Sequence, residues 1–147
     1  MKYVEMDEVV LHNQPVMRVD TPDRNGFVYP ADVIEEMVQR LTKPVYGTIG
    51  QPNTDPTLTI NVCDISHKAE NFHTEDGKLV ADITILNTQQ GGVYKQMLDN
   101  DVPLRLSTGG IGVVDHKTDS SGKNYLYVSK YDIKRVSVML PDEACWE

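Results

Sequence analysis

The dipeptide Asp76-Gly77, set between two runs of alternating polarity, most constrains how this chain can fold. Both central residues of a type I′ turn need positive φ, and Asp-Gly meets that need at little steric cost. The segment therefore predicts an antiparallel hairpin. Upstream, Leu58, Ile60 and Val62 alternate, and the parity then shifts to Cys63 and Ile65. That pattern predicts a strand over 57–70 with a bulge near 62. Downstream, Leu79, Ala81, Ile83 and Ile85 share one parity and predict a strand over 79–86.

The remaining segments read mostly as further strands. Glu8–Leu11 and Val16–Val19 flank Asn13-Gln14-Pro15 and predict a hairpin or arm within residues 1–19. Strands are also expected at 102–108, 111–116 and 125–140. The clearest helix spans 31–41, where Val33, Ile34, Met37, Val38 and Leu41 make one apolar stripe behind Pro30. A short second helix carries Val93, Met97 and Leu98. The expectation is one domain over 1–147, a β-rich α+β fold with about two helices. Closing the sheet into a full or partial barrel would remove its exposed edges.

Composition excludes several classes of function. The formal net charge is −8, and no basic cluster longer than Lys134-Arg135 offsets it. Nucleic acid is thus a poor partner, since binding it requires neutralising phosphates. No apolar run approaches the roughly 20 residues of a membrane-spanning helix, and the N-terminus has no apolar signal core. The chain reads as a cytoplasmic product of its cell, with no membrane partner. Cys63 and Cys145 lack metal-ligand spacing and read as two reduced, buried thiols. His12, His67, His73 and His116 form no ligand cluster, so neither metal nor cofactor is expected.

One segment carries a catalytic suggestion. Leu104-Arg-Leu-Ser-Thr-Gly-Gly-Ile-Gly112 puts Ser107 at the end of a strand, ahead of a glycine-rich turn. Glycines there let backbone N–H groups approach a substrate, as an oxyanion hole requires. A serine nucleophile also needs a base. Among the histidines only His67, inside a predicted strand, reads as a buried base; His73 and His116 read as solvated. The stripe Tyr125, Tyr127 and Tyr131 reads as packing on a sheet face.

Taken in order, these segments resemble the prohead (capsid-maturation) serine protease family of tailed phages, itself distantly similar in fold to the herpesvirus assemblins. The resemblance runs over about 24–141. Arg24-Asn-Gly-Phe-Val-Tyr-Pro-Ala-Asp-Val-Ile-Glu is similar to the family's segment before the first helix. Gly47-Thr-Ile-Gly-Gln-Pro52 is similar to its Gly-Glu-Leu-x-His-Pro segment, whose histidine is the catalytic base. Ile65–Leu86 and Gln90-Gly-Gly-Val-Tyr-Lys-Gln-Met-Leu follow in the family's order. Leu106-Ser-Thr-Gly-Gly-Ile-Gly112 is similar to Ser-Ser-Arg-Gly-x-Gly, and Arg135-Val-Ser-Val-Met-Leu-Pro141 to the closing strand.

Residue by residue, the resemblance puts the nucleophile at Ser107, or by a one-residue shift at Thr108, and the base at Gln51. The motif arginine becomes Gly109, and the acid sometimes found in the closing strand becomes Arg135. A glutamine amide cannot take and return a proton near neutral pH. The resemblance thus implies a phage head protein on a degenerate protease fold, a decoration or cement component of the capsid. Its partners would be the major capsid protein, other head proteins or further copies of itself, and its place the virion. Val9, Leu11, Val16 and Met17 would supply the capsid contact. The alternatives are an active maturation protease with a relocated base, His67 or His116, and an internal core or scaffold component.

Overall fold

The computed structural model describes residues 8–50 and 60–146. It contains two antiparallel-rich sheets and two helices. In chain order the elements are β1 (Val9–Arg18), β2 (Phe27–Val28), α1 (Ala31–Arg40), β3 (Val45–Gly47), β4 (His67–Glu75), β5 (Lys78–Ile85), α2 (Gln89–Asp99), β6 (Arg105–Thr118) and β7 (Asn124–Met139), with a 3-10 turn at Val62–Asp64. The first sheet runs β1-β5-β4-β3, all antiparallel, and the second runs β2-β7-β6.

The Asp76-Gly77 hairpin forms as its chemistry requires, with φ of 51° and 74° at the two turn residues. Its strands are β4 and β5, and the buried Leu79, Ala81, Ile83 and Ile85 face the core. The upstream arm expected over 57–70 begins instead at His67 and runs to Glu75, while residues 57–59 lie outside the described residues. Residues 62–64 take a 3-10 turn because the Asn61 side chain accepts from the Cys63 amide and diverts the chain from extended structure. The irregularity anticipated near 62 lies instead between Glu70 and His73.

α1 buries Ile34 and Met37, with Val33, Val38 and Leu41 packed at the margin of the core. Its first free amide, on Ala31, is met by the Asp20 carboxylate at 2.9 Å, a cap delivered from a distant turn. In α2, Thr88 caps the Gly91 amide and donates to the Ile65 carbonyl, joining the helix to the start of β4. The buried α2 side chain is Tyr94, whereas Val93 is exposed and Met97 and Leu98 only half-buried.

Four expectations need correction. Residues 8–18 are no separate arm or hairpin. They form one strand, β1, whose register against β5 shifts around Asn13 and Pro15. Burial favours that outcome: Val16 and Met17 are core residues, and Val9 and Leu11 pack against the core. Val16 and Met17 are therefore committed inside the domain, Val9 and Leu11 are half-buried at its margin, and the only large apolar side chain that β1 exposes is Val10.

The sheet also fails to close into a barrel. β1 packs on β6 without a ladder, and among the described residues a single isolated bridge, Ile49 to Val138, links the segment that follows β3 to β7 of the second sheet. The strands expected at 102–108 and 111–116 are one continuous strand, β6, which begins at Arg105 and runs through both. Gly109, Gly110 and Gly112 stand within it and make no turn. Finally, neither thiol is fully buried: Cys63 is exposed and Cys145 half-buried, both free.

Candidate functional site

The interest of the second sheet lies at the base of the β6–β7 ladder. Ser107 stands opposite Ser137, and Gly109 opposite Arg135. Alternation then places Leu106, Thr108, Val136 and Val138 on the face toward the core. Ser107, Gly109, Arg135 and Ser137 share the other face. All three of these polar residues are nevertheless buried, at 2%, 7% and 2% exposure for Ser107, Arg135 and Ser137. The Ser107 Oγ, the Ser137 Oγ and the Arg135 Nη1 have no hydrogen-bond partner among the described residues.

The glycine at 109 is what admits the arginine. A Cβ there would stand 2.6 Å from the Arg135 Nε and 2.9 Å from its Cγ, closer than atoms can pack. The next glycine lies beneath the Tyr131 ring in the same way. Glycine weakens a strand interior, and an aromatic laid across it restores the lost packing. Tyr131 meets the Thr108 hydroxyl at 3.1 Å and the Tyr29 ring edge-on, with centroids 5.1 Å apart. Burial pushes its phenol up to about 12, an effect the Thr108 bond partly offsets.

On the far side of β7, residues 48–50 run beside the same stretch. The Val138 amide donates to the Thr48 carbonyl at 3.0 Å, and the Gly50 amide donates to the Val138 carbonyl at 2.7 Å. β7 at 137–138 is thus flanked by Ser107 on one side and by the segment entering Gln51 on the other. Gln51 itself lies outside the described residues.

His67 has a different place. It is fully buried in β4, edge-on to Tyr94 at 5.4 Å. Its Nε2 donates to the Val136 carbonyl at 2.6 Å, which leaves Nδ1 to accept from the Ser66 hydroxyl at 2.7 Å. Desolvation lowers its pKa to about 4, against a smaller opposing effect of the carbonyl. Both ring nitrogens are therefore occupied, and neither reaches the Ser107 Oγ. His116 lies on the exposed part of β6 and His73 beside the exposed hairpin turn. The structure thus joins none of these histidines to the serine. Among the described residues there is also no cluster of three or more His, Cys, Asp or Glu side chains able to hold a metal ion, and no helix long and apolar enough to cross a membrane.

The C-terminal segment finishes the base of the site. The Trp146 indole donates to the Leu106 carbonyl at 2.8 Å, and the Arg105 guanidinium stacks over its ring while donating to the Trp146 carbonyl. Arg24 holds the same segment through the carbonyls of Asp142 and Ala144. A cavity of about 30 Å³ remains between this segment and β6, lined in part by Ser107, Thr108, Tyr29 and Trp146.

Local sequence pattern does not show that Ser137 faces Ser107 across the ladder or that Arg135 is buried. The parity of Arg135-Val-Ser137 was visible, but the register that brings it against Ser107 depends on a bulge between Gly109 and Gly110. Chemically the arrangement offers three hydrogen-bond donors, and the Asp23 carboxylate, its pKa raised chiefly by burial, lines the same small cavity as Ser107.

No protein-family model matches the sequence, and no curated protein matches it. Among solved structures, the chain is similar to the capsid assembly protease gp21 of bacteriophage T4, with a TM-score of 0.66 over 90% of each chain at 14% identity. At that identity the likeness is one of architecture, and it establishes that the chain has a fold like that of a phage capsid assembly protease.

Proposed function

We propose that this protein is a phage head component that keeps the prohead-protease-like fold and has lost its catalysis. The observation that carries this reading is the state of Ser107. Its hydroxyl is buried, has no histidine in reach among the described residues, and shares a sheet face with the cation Arg135. A serine alcohol needs a base to take its proton. An adjacent guanidinium offers donors only. Gln51 stands at the position where the resemblance places the base, and the Oδ1 of Asp23, which lines the same cavity as Ser107, accepts from the Asn25 and Phe27 amides. The serine has no base hydrogen-bonded to it among the described residues, and loss of one triad member alone costs on the order of 10⁴-fold or more.

The purified protein should therefore fail to cleave itself and fail to react with a serine-directed fluorophosphonate. Labelling that disappears in Ser107→Ala would establish the rival reading, an active maturation protease, which the name of the T4 neighbour favours. Labelling gained in Gln51→His would support descent from an active enzyme.

As a head component it would act in many copies against the major capsid protein, other head proteins or its own neighbours. A specific contact of that kind buries roughly 800 Å² per partner. Since Val16 and Met17 are core residues, that contact would use side chains other than these two. Abundance in mature particles would support the decoration role. Abundance confined to immature heads would favour the core or protease readings.

A further inference from the structure

β6 is the terminal strand of the second sheet, and among the described residues no strand pairs with its outer edge. From Ile111 to Thr118 all of its residues are exposed, among them the large apolar Ile111, Val113 and Val114. Backbone groups of an antiparallel strand point alternately toward its partner and away from it. The Leu106 carbonyl points outward, to the Trp146 indole. Both register shifts leave their extra residue on β7, at Lys134 and Ser129, so β6 keeps the alternation. The N–H and C=O groups of Val114, His116 and Thr118 therefore also face outward, toward no other strand among the described residues.

Such an edge is a template for another strand, and folded proteins blunt it with proline, a bulge or a lysine. Residues 113–118 of β6 contain no proline, no glycine and no extra residue. They do contain Lys117, but Asp115 lies two residues before it on the same face. A lysine alone would repel a second copy of its strand, whereas Asp-x-Lys is complementary to its own copy run antiparallel. Opposite charges facing across strands stabilise, and like charges destabilise.

Charge therefore selects a register. With a two-fold axis at His116, each Asp115 faces Lys117 of the other copy. An axis at Asp115 or at Lys117 sets that residue against itself, and one at Val114 sets both charges against Val113 and Ile111. Within each copy, Asp115 stands opposite Tyr127 and Lys117 opposite Tyr125. The Lys117 Nζ lies 5.2 Å from the Tyr127 ring centroid, which fixes its side chain on that face. Each cross-copy ion pair would thus sit in a row between two tyrosines.

We propose that two copies of this chain pair antiparallel through residues 114–118 of β6, about a two-fold axis at His116. The pairing joins their second sheets into one. It rests on the geometry of this edge and holds whether or not the protein resides in a phage head. A ladder this short buries less than the roughly 800 Å² per partner of a standard interface, so the dimer is weak and depends on concentration.

The test is sedimentation equilibrium of the full chain in mildly alkaline, low-salt buffer, from low micromolar to submillimolar concentration. Hydrogen exchange is followed over the same range. The proposal expects a monomer–dimer equilibrium, with exchange at the Val114, His116 and Thr118 amides slowing as concentration rises. Lys117→Glu turns both ion pairs into like-charge pairs and should weaken association about tenfold or more. Asp115→Lys should do the same. Mixed together, these two variants should form a heterodimer, because every facing pair is then of opposite charge. Both positions are exposed, and circular dichroism reports that each variant keeps its fold.

A monomer at every concentration overturns the proposal. Association that either single variant leaves unchanged also overturns it, as does a mixture that associates no better than its components. Oligomers larger than a dimer overturn it too, since a two-fold contact closes on itself.

Discussion

Two buried polar clusters flank β7, and they were solved in opposite ways. At the Ser66–His67 cluster both ring nitrogens are satisfied, one by a carbonyl and one by a hydroxyl, and the imidazole packs edge-on against Tyr94. At the Ser107–Ser137–Arg135 cluster, two hydroxyls and a guanidinium nitrogen have no described partner. A satisfied buried group holds a core in one arrangement; an unsatisfied one costs stability and is retained only for another reason. The contrast separates the two clusters: the histidine, chemically the more versatile residue, is held at both ring nitrogens, and the serine beside the arginine is buried without a partner among the described residues.

The sharpest way to break the contrast is to attack the satisfied cluster through Gly47. A Cβ there would stand 1.6 Å from the Val136 carbonyl oxygen and 2.4 Å from the His67 Nε2. Backbone cannot yield that far, so Gly47→Ala should destabilise the fold by more than about 4 kcal/mol. Urea denaturation would show it as a collapse of the midpoint or as insoluble protein.

His67→Ala comes next. It leaves a cavity and strands the Ser66 hydroxyl and the Val136 carbonyl, a cost of about 3 to 4 kcal/mol. A midpoint close to that of the unaltered protein would show that the imidazole is not the structural element described above.

Acid should weaken the same cluster by a comparable or smaller amount. The folded His67 titrates at about 4, against an ordinary value of 6.5. Between those values the unfolded chain binds the proton and the folded chain does not, so stability rises with pH across that window. The contribution is complete above about pH 6.5 and lost as pH falls toward 4, in total about 3 kcal/mol. His67→Gln should flatten this dependence. A profile unchanged by that substitution would assign the acid sensitivity to other groups.

The smallest effect, opposite in sign, belongs to the unsatisfied cluster. Removing the orphaned hydroxyl in Ser107→Ala should leave stability unchanged or raise it by up to about 1 kcal/mol. A loss as large as that of His67→Ala would mean that Ser107 is as structural as the histidine, and the contrast would fail.

Much of the architecture was legible because it is encoded within a few residues. The Asp76-Gly77 turn, the apolar stripe of α1 and the alternation of β5 each depend on neighbours in sequence, and each appears at its expected place. The candidate site was only half legible. Ser107 stood out through its glycines, but those glycines serve to admit Arg135 and Tyr131 into a continuous strand. Local pattern also suggested an N-terminal arm, because a run such as Glu8–Leu11 reads the same whether it pairs at an edge or projects freely.

The sequence by itself determined the elements whose cause is local: turn chemistry, helix periodicity and strand alternation act over one or two turns of chain. Tertiary structure decided which strands meet. It drew β1 onto β5 to bury Val16 and Met17, and it left the two sheets joined, among the described residues, at a single bridge without closing them. It also brought Ser107 against Ser137 with Arg135 alongside. Those pairings rest on burial and register between residues far apart in the chain, where a one-residue bulge exchanges every face beyond it, and no local pattern specifies where that bulge falls.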